Sequence, residues 1–466
     1  MRVTTGHVAA ILSVAVFVAL GIGGAGHGYA PDGDSVRLFD TARIILDADY
    51  KPSRSSGYPA FEAMIALVVW LGGGVRAVSI VVMAMWLATA AILTSLALPD
   101  RRWAAPVVLL LTPVVLVNSS WPMETGQAAL LTVLYMAGHL NAGGRLRFAA
   151  MAITGTLLVL TRIDACFAIV ALGLAGLISE RDWQHFACVA VIGVVTFAIY
   201  ALLNDGLSFL GPFNTPHESV LRHFAKAAII SYLMLAFIGF AAGIAVLNRW
   251  NELEGQTRWA LGLLALLWGA RLVILPEELE YLIIPYVMLL VWYVRLPSTL
   301  SATRLLAIAI VSNLFAPVLF ERPDRTQDQY RLTFALGAPP VVQDFHGRKA
   351  YNEVLQSGTT EYIRAQSGMD IVPSPFHDWM FTPQRDGIVI FADALYAFRS
   401  QRSQSLPRAD LSQYSRIVLC DGLRLPTRGW RWMQRHELPH VLEAKRTGKS
   451  LNCHDVTASE ISRQGH

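Results

Sequence analysis

A series of long apolar runs in the first 320 residues constrains the fold of this chain more than any other feature. A helix needs about 20 predominantly apolar residues to cross a bilayer, and the core of a soluble domain does not need such runs repeatedly. The runs lie at 8–25, 75–98, 104–120, 125–141, 147–161, 163–179, 184–203, 225–248, 259–275, 281–297 and 302–320. They predict a mainly α multi-pass membrane protein with about 11 transmembrane helices plus juxtamembrane helices.

The low charge content supports a membrane class. Only 15% of the 466 residues are charged and the mean hydropathy is +0.44, whereas soluble domains carry roughly 25% charged residues. The sequence has no basic block interleaved with aromatic residues, so nucleic acid is not an expected partner. The first run, 8–25, has the small residues of a signal-peptide end, but many runs follow it, so we expect a retained first span.

The apolar segment 59–74 is too short for an ordinary span. Its apolar part is about 14 residues long, and three glycines, Gly72, Gly73 and Gly74, follow it. We interpret it as a juxtamembrane or half-inserted helix, although the sequence leaves open whether it crosses the membrane. That choice sets the orientation of every later span.

Basic residues in the short loops predict the orientation, because Lys and Arg concentrate on the cytoplasmic side. With the runs counted as above, the flanking arginines share one side: Arg2, Arg101, Arg102, Arg145, Arg147, Arg181, Arg249, Arg258, Arg295 and Arg304. We therefore expect a multi-pass protein of the inner (plasma) membrane with a cytoplasmic N-terminus. The first loop, 26–74, and everything after residue 321 then lie outside the cytoplasm.

The chain divides into a transmembrane region, 1–321, and a polar region, 322–466. In the polar region "GIVIFADAL" and "SRIVLCDGL" are typical of buried strands, and "GRKAYNEVLQSGTTEYIRAQSG" is typical of a helix. This alternation predicts a small extracytoplasmic α/β domain. Outside the cytoplasm Cys420 and Cys453 could pair, and the sequence alone leaves that question open. No cysteine and histidine spacing predicts a structural zinc site.

The first loop collects acids and bases beside the membrane. Asp32 and Asp34 begin it in "PDGDS", and a helical pattern follows over "SVRLFDTARIILDADY". Asp34 or Ser35 is a candidate N-cap of that helix. A carboxylate here can act as a general base or bind a divalent cation, and a plain turn is the alternative.

The basic loop "KPSRSSGYP" comes next, before the short apolar helix. This order resembles the first extracytoplasmic loop of the GT-C glycosyltransferases, multi-span enzymes that use polyprenyl-phosphate-linked sugars. Asp34, with Asp32 beside it, matches the acidic position that the family uses as catalytic base. Lys51 and Arg54 match the basic residues near the family's "GYP" element, here completed by Tyr58.

Later segments follow the order of the same family. "NSSWPMETG", with Glu124, resembles its acidic turn before a long helix, and "LTRID", with Arg162 and Asp164, resembles its arginine-containing turn. "PEELEYLIIPY" resembles its late motif, with Tyr281 before the proline. Many members have His or Arg at the place where this chain has Glu278 and Glu280.

The resemblance implies transfer of a sugar from a polyprenyl-phosphate donor to a hydroxyl of a glycan, lipid or protein acceptor. Asp34 would be the base, and Asp32 its partner or a metal ligand. The donor phosphate would be held by Lys51, Arg54, Tyr58, Arg162, Arg271 and Tyr281. No cofactor is implied with certainty, and a divalent cation on Asp32 and Asp34 is left open.

Other acidic residues are candidates for acceptor binding or support. Glu62 lies in the short apolar helix, where a carboxylate at membrane depth is a functional candidate by default; the others are Glu124, Asp164, Glu278 and Glu280. Arg162 has an alternative role as an interfacial anchor, and Asp164 pairs with it in either role. Two other functions stay open: a transporter or lipid flippase, and a non-catalytic membrane scaffold of the same fold.

Overall fold

The structure is a computed structural model. It describes residues 4–28, 33–50, 52–53, 57–141, 144–204, 206, 220–274, 282–297, 300–315, 318–321, 331–334, 369–372, 387–391, 415–420 and 453–457. The helices are α1 Thr5–Ala25, α2 Gly33–Leu46, α3 Pro59–Trp70, α4 Val75–Leu96, α5 Ala104–Leu110, α6 Pro113–Val117, α7 Thr125–Asn141, α8 Gly144–Thr161, α9 Ala165–Glu180, α10 Trp183–Leu203, α11 Val220–Leu247, α12 Gly255–Ile274, α13 Ile283–Arg295 and α14 Ala302–Phe315.

The described part is mostly helical and has the character of a membrane protein. Three of its helices, α1, α4 and α10, are long and apolar enough to cross a membrane, and six shorter apolar helices accompany them. Large apolar side chains point outward on these helices, among them Val194 at 71% and Leu202 at 82% exposure. Such a surface suits lipid contact and supports the predicted membrane class. The described residues include three helices of spanning length, whereas the sequence predicts about 11 spans.

The run 104–120 differs from the single helix that its apolarity predicts. Pro113 starts α6, and the residue before it, Thr112, is extended, since proline disfavours the α conformation in its predecessor. The run therefore divides into α5, α6 and a short 3-10 turn at Asn118–Ser120. Every residue of α5 and α6 is buried. These two short helices form an interior layer, with α5 against α1, α4, α13 and α14.

The run 225–248 also departs from one regular helix. α11 is interrupted at Ala236, whose φ of 43° and ψ of −155° are not helical. Two residues later, the backbone N–H of Ile238 donates to Ser312 Oγ of α14 at 2.9 Å. A side chain on a neighbouring helix thus satisfies a backbone donor near the break, as apolar surroundings require.

The predicted short helix at 59–74 is present as α3. Gly72, with φ of +84°, and Gly73 donate back to carbonyl groups of Val69 and Val68, which ends the helix with its carbonyls satisfied. α3 packs chiefly against α2 and α8.

The predicted helix in the first loop begins at Gly33. Ser35 is thus inside its first turn and fully buried, so the N-cap role for Asp34 or Ser35 was wrong.

Both predicted strands of the polar region are confirmed. The strands are β1 Val318–Glu321, β2 Arg331–Phe334, β3 Met369–Val372, β4 Gly387–Phe391, β5 Arg416–Cys420 and β6 Cys453–Val456. β3, β4 and β5 are parallel neighbours, β6 adds antiparallel to β5, and β1 pairs with β2. The predicted helix 347–368 lies outside the described residues, so the α/β domain remains a prediction.

Candidate functional site

The buried carboxylate of Glu62 organises the end of the first loop. Pro59 occupies the first turn of α3, where its missing N–H removes no helical bond. Glu62 follows in that turn and is fully buried. Its Oε2 accepts from the Tyr50 hydroxyl at 2.6 Å, and its Oε1 accepts from the backbone N–H and Oγ of Ser53 at 3.0 and 2.6 Å. One side chain therefore fastens two points of the loop to the helix.

Gly57 allows this loop to close on the carboxylate. Its φ is +71°, a conformation that glycine adopts without strain. A Cβ built at this position would lie 2.5 Å from the Tyr50 hydroxyl and 3.3 Å from Glu62 Oε2. Both the backbone conformation and the space require glycine, so the "GYP" element has a steric function beside the carboxylate.

The hydroxyl of Tyr50 is held in its neutral, donating form. Burial raises the pKa of Tyr50 far above its ordinary value, and the charge of Glu62 and the hydrogen bond to it add to the increase. The tyrosine therefore remains a donor to Glu62 throughout the neutral pH range.

A second buried cluster joins α7, α8 and α9. Arg162 Nη1 donates to Glu124 Oε1 at 2.8 Å, while its Nε and Nη2 donate to the two carboxylate oxygens of Asp164 at 3.2 Å each. Arg162 is 3% exposed, Glu124 0% and Asp164 6%. The predicted pairing of Arg162 with Asp164 is confirmed. Interfacial anchoring of Arg162 is wrong, because its guanidinium is enclosed by protein.

Tyr200 connects the two clusters. It lies near the end of α10, where its hydroxyl donates to the carbonyl of Val159 at 2.9 Å. Val159 lies on α8, three residues before Arg162, and α8 also packs against α3, the helix that carries Glu62. The anchor of the first loop, Tyr200 and the arginine cluster are therefore linked through α8 near one end of the bundle, and we refer to them together as the buried polar layer.

Several predicted site residues belong to this layer or border it. Tyr58 precedes α3 and is buried, with 9% of its surface exposed; its carbonyl accepts from the N–H groups of Phe61 and Glu62. Arg271 lies near the end of α12, a helix that packs against α9. The structure thus brings together Glu124, Arg162 and Asp164 in one cluster. It places Glu62, with Tyr58 beside it, on α3, which packs against α8.

The remaining predicted residues lie at the start of α2 or outside the described residues. Asp34 lies in the first turn of α2 by its backbone. Outside the described residues lie Asp32, Lys51, Arg54, Glu278, Glu280 and Tyr281. Among the described residues, no group of three or more His, Cys, Asp or Glu side chains has the arrangement of a metal site.

Sequence analysis missed Tyr50, Ser53 and Tyr200. Tyr50 and Ser53 lie on either side of Lys51 and Pro52 in a loop whose most prominent feature is its charged residues, and Tyr200 lies in an apolar run. An isolated tyrosine in an apolar segment indicates a buried hydroxyl that needs a partner, which was the available signal. Its partner is set by packing between segments distant in sequence.

Comparison of the chain with protein-family models, with curated proteins and with solved structures finds no match.

Proposed function

We propose that this protein is a membrane glycosyltransferase that transfers a sugar from a polyprenyl-phosphate donor to a hydroxyl acceptor outside the cytoplasm. It would lie in the inner membrane with about 11 spans, a cytoplasmic N-terminus and an extracytoplasmic C-terminal domain. Asp34 takes the proton of the acceptor hydroxyl. The acceptor oxygen then bonds to the anomeric carbon with inversion, the bond from that carbon to the phosphate oxygen breaks, and polyprenyl phosphate leaves.

The observation that carries the proposal is the attachment of the first loop to the buried polar layer. Glu62 holds the loop through Tyr50 and Ser53, which lie on either side of Lys51 and Pro52 in the sequence. α3, which carries Glu62, packs against α8. The loop of acids and bases is therefore fixed beside a membrane-type helix, where a lipid-linked phosphate would be presented. A base and cations at such a boundary suit transfer from a lipid phosphate.

The arginine cluster changes the assignment of phosphate binding within this proposal. Arg162 already donates to Glu124 and Asp164 and is 97% enclosed, so its fork is occupied by carboxylates. We therefore assign Arg162 to support of the site. Lys51, Arg54 and Arg271 are the cations proposed for the donor phosphate, with Tyr58 and Tyr281 beside it. Asp32 supports Asp34 or shares a divalent cation with it.

The decisive experiment compares Asp34→Asn with Asp47→Asn in membranes supplied with radiolabelled polyprenyl-phosphate mannose and arabinose. Asp47 is an exposed residue of the same loop and serves as the matched control. Because general-base catalysis contributes about 10²–10⁴-fold, Asp34→Asn should lose transfer by that factor, while Asp47→Asn stays within about twofold of the wild type. If Asp34→Asn still transfers sugar at the wild-type rate, Asp34 is not the base. If the wild type transfers sugar from neither donor, the proposal of a glycosyltransferase is wrong.

A further inference from the structure

We infer that Glu62 is a positioning residue. In the segment 50–58 it holds Tyr50, Ser53 and Gly57, the residues between which the proposed phosphate-binding cations Lys51 and Arg54 lie in the sequence. The inference rests on the proposed function and assigns a role within the same site. The carboxylate is fully buried and receives three hydrogen bonds from two residues of this segment. An enclosed carboxylate with its oxygens occupied cannot take a proton from an acceptor, so its action passes through the residues it holds.

The contacts fix both ends of this short segment. The Tyr50 hydroxyl and Ser53 hold the beginning, at 2.6 Å each from a carboxylate oxygen. Gly57 holds the other end, because its backbone packs against the Tyr50 hydroxyl without room for a Cβ. Tyr58 then leads directly into the first turn of α3, which carries Glu62 itself. The described residues Tyr50, Ser53 and Gly57 are thus arranged around one carboxylate.

A preformed anchor of this kind favours binding of the donor phosphate. A loop that carries lysine and arginine loses rotamer and backbone entropy when it gathers around a phosphate. A preformed anchor removes part of that cost before the donor binds, which strengthens donor binding without taking part in bond breaking. Loss of the anchor should therefore weaken apparent donor affinity more than it slows the chemical step.

The test uses the full-length protein in nanodiscs, with the variants Glu62→Gln and Tyr50→Phe. Glu180→Gln, an exposed glutamate at the end of α9, is the matched control. With polyprenyl-phosphate mannose and arabinose as probes, Glu62→Gln should raise the donor KM by about tenfold and change kcat by less than about threefold. Tyr50→Phe should act in the same direction, and the double variant should show less than the product of the two effects.

A second readout does not depend on catalysis. Trypsin cleavage after Arg54, measured well below the thermal unfolding midpoint of both proteins, should be faster in Glu62→Gln than in the wild type, since the anchor restrains the segment locally. An unchanged KM together with unchanged cleavage overturns the inference. A wild type without transfer overturns the proposed function and the donor role of Glu62 together; the cleavage rates then decide whether Glu62 anchors the loop at all.

Discussion

Glu124, directly before α7, accepts a 2.8 Å hydrogen bond from Arg162, which lies 38 residues later in the chain and pairs with Asp164 as well. All three side chains are enclosed by the helices. Buried ions lose hydration, and geometry of this kind, with several charge-assisted bonds, is required to offset that loss. The cluster ties the start of α7 to the junction of α8 and α9.

The first prediction concerns this cluster. Arg162→Met leaves Glu124 and Asp164 buried without their shared cation, so we expect a loss of about 3–5 kcal/mol in the free energy of unfolding. Thermal unfolding in detergent or nanodiscs measures it. Adding Glu124→Gln to Arg162→Met should recover part of the loss, because one of the two stranded charges is gone. A single variant as stable as the wild type would contradict the energetic role of the cluster.

The second prediction compares two glycines with similar backbone conformations. Gly57 and Gly72 have φ of +71° and +84°, but a Cβ at Gly57 would collide with Tyr50 whereas at Gly72 nothing lies within 4 Å. Gly72→Ala should cost about 1 kcal/mol from the left-handed conformation alone. Gly57→Ala should cost about 1–3 kcal/mol more, because the contact around Glu62 must also open. If Gly57→Ala and Gly72→Ala lose the same free energy of unfolding, the loop around Glu62 accommodates the added methyl group without strain, which contradicts the prediction.

The third prediction concerns the opposite end of the bundle. Arg101 is 3% exposed and donates to the carbonyls of Tyr293 and Leu296 at 3.1 and 2.6 Å, at the end of α13. Its guanidinium also lies 4.4 Å from the centre of the Tyr293 ring. Arg101→Gln should cost about 2 kcal/mol in thermal unfolding, since charge-assisted bonds to terminal carbonyls are lost. The exposed neighbour Arg102 provides the control: Arg102→Gln should stay within about 0.5 kcal/mol.

The fourth prediction tests the proposed orientation. In a chain whose native cysteines are serine, Asp47→Cys should react with a membrane-impermeant maleimide on intact cells, and Arg102→Cys should react only after permeabilisation. Both native side chains are exposed, so burial does not interfere. Ser35, although it belongs to the same loop, is fully buried and would report packing instead. The reverse labelling pattern would invert the proposed topology and place the first loop in the cytoplasm.

The fifth prediction follows from strand register. The β5–β6 pairing sets the backbone of Cys420 directly opposite that of Cys453. Directly opposed residues of antiparallel strands have Cα atoms about 4.5–5.5 Å apart, within the range that a disulfide spans. With the proposed extracytoplasmic location, peptide mapping without reductant should recover these two cysteines linked. Recovery of both as free thiols would contradict an oxidising location for this region.

The sequence predicts those features of the fold that residues adjacent in the chain determine, and not those that depend on contacts between distant segments. The apolar runs predict membrane-type helices, and Pro59 with the three glycines predicts the bounds of α3, because propensity and proline or glycine geometry act locally. The break at Ala236 has no such local signal, and the N–H of Ile238 nearby depends on Ser312 of another helix. The break at Thr112 does have a local signal in Pro113, but the continuous apolarity of 104–120 led to the prediction of a single helix.

By itself the sequence determined the membrane character, the strands β4 and β5 of the polar region, and the pairing of Arg162 with Asp164, which lie two residues apart. Only the tertiary structure decided that Glu62 is fully buried, that Tyr50 and Ser53 are its partners, and that Glu124 completes the arginine cluster. The physical reason is that a buried charge must find its partners wherever packing brings them. Those partners come from segments whose separation along the chain carries no periodic pattern.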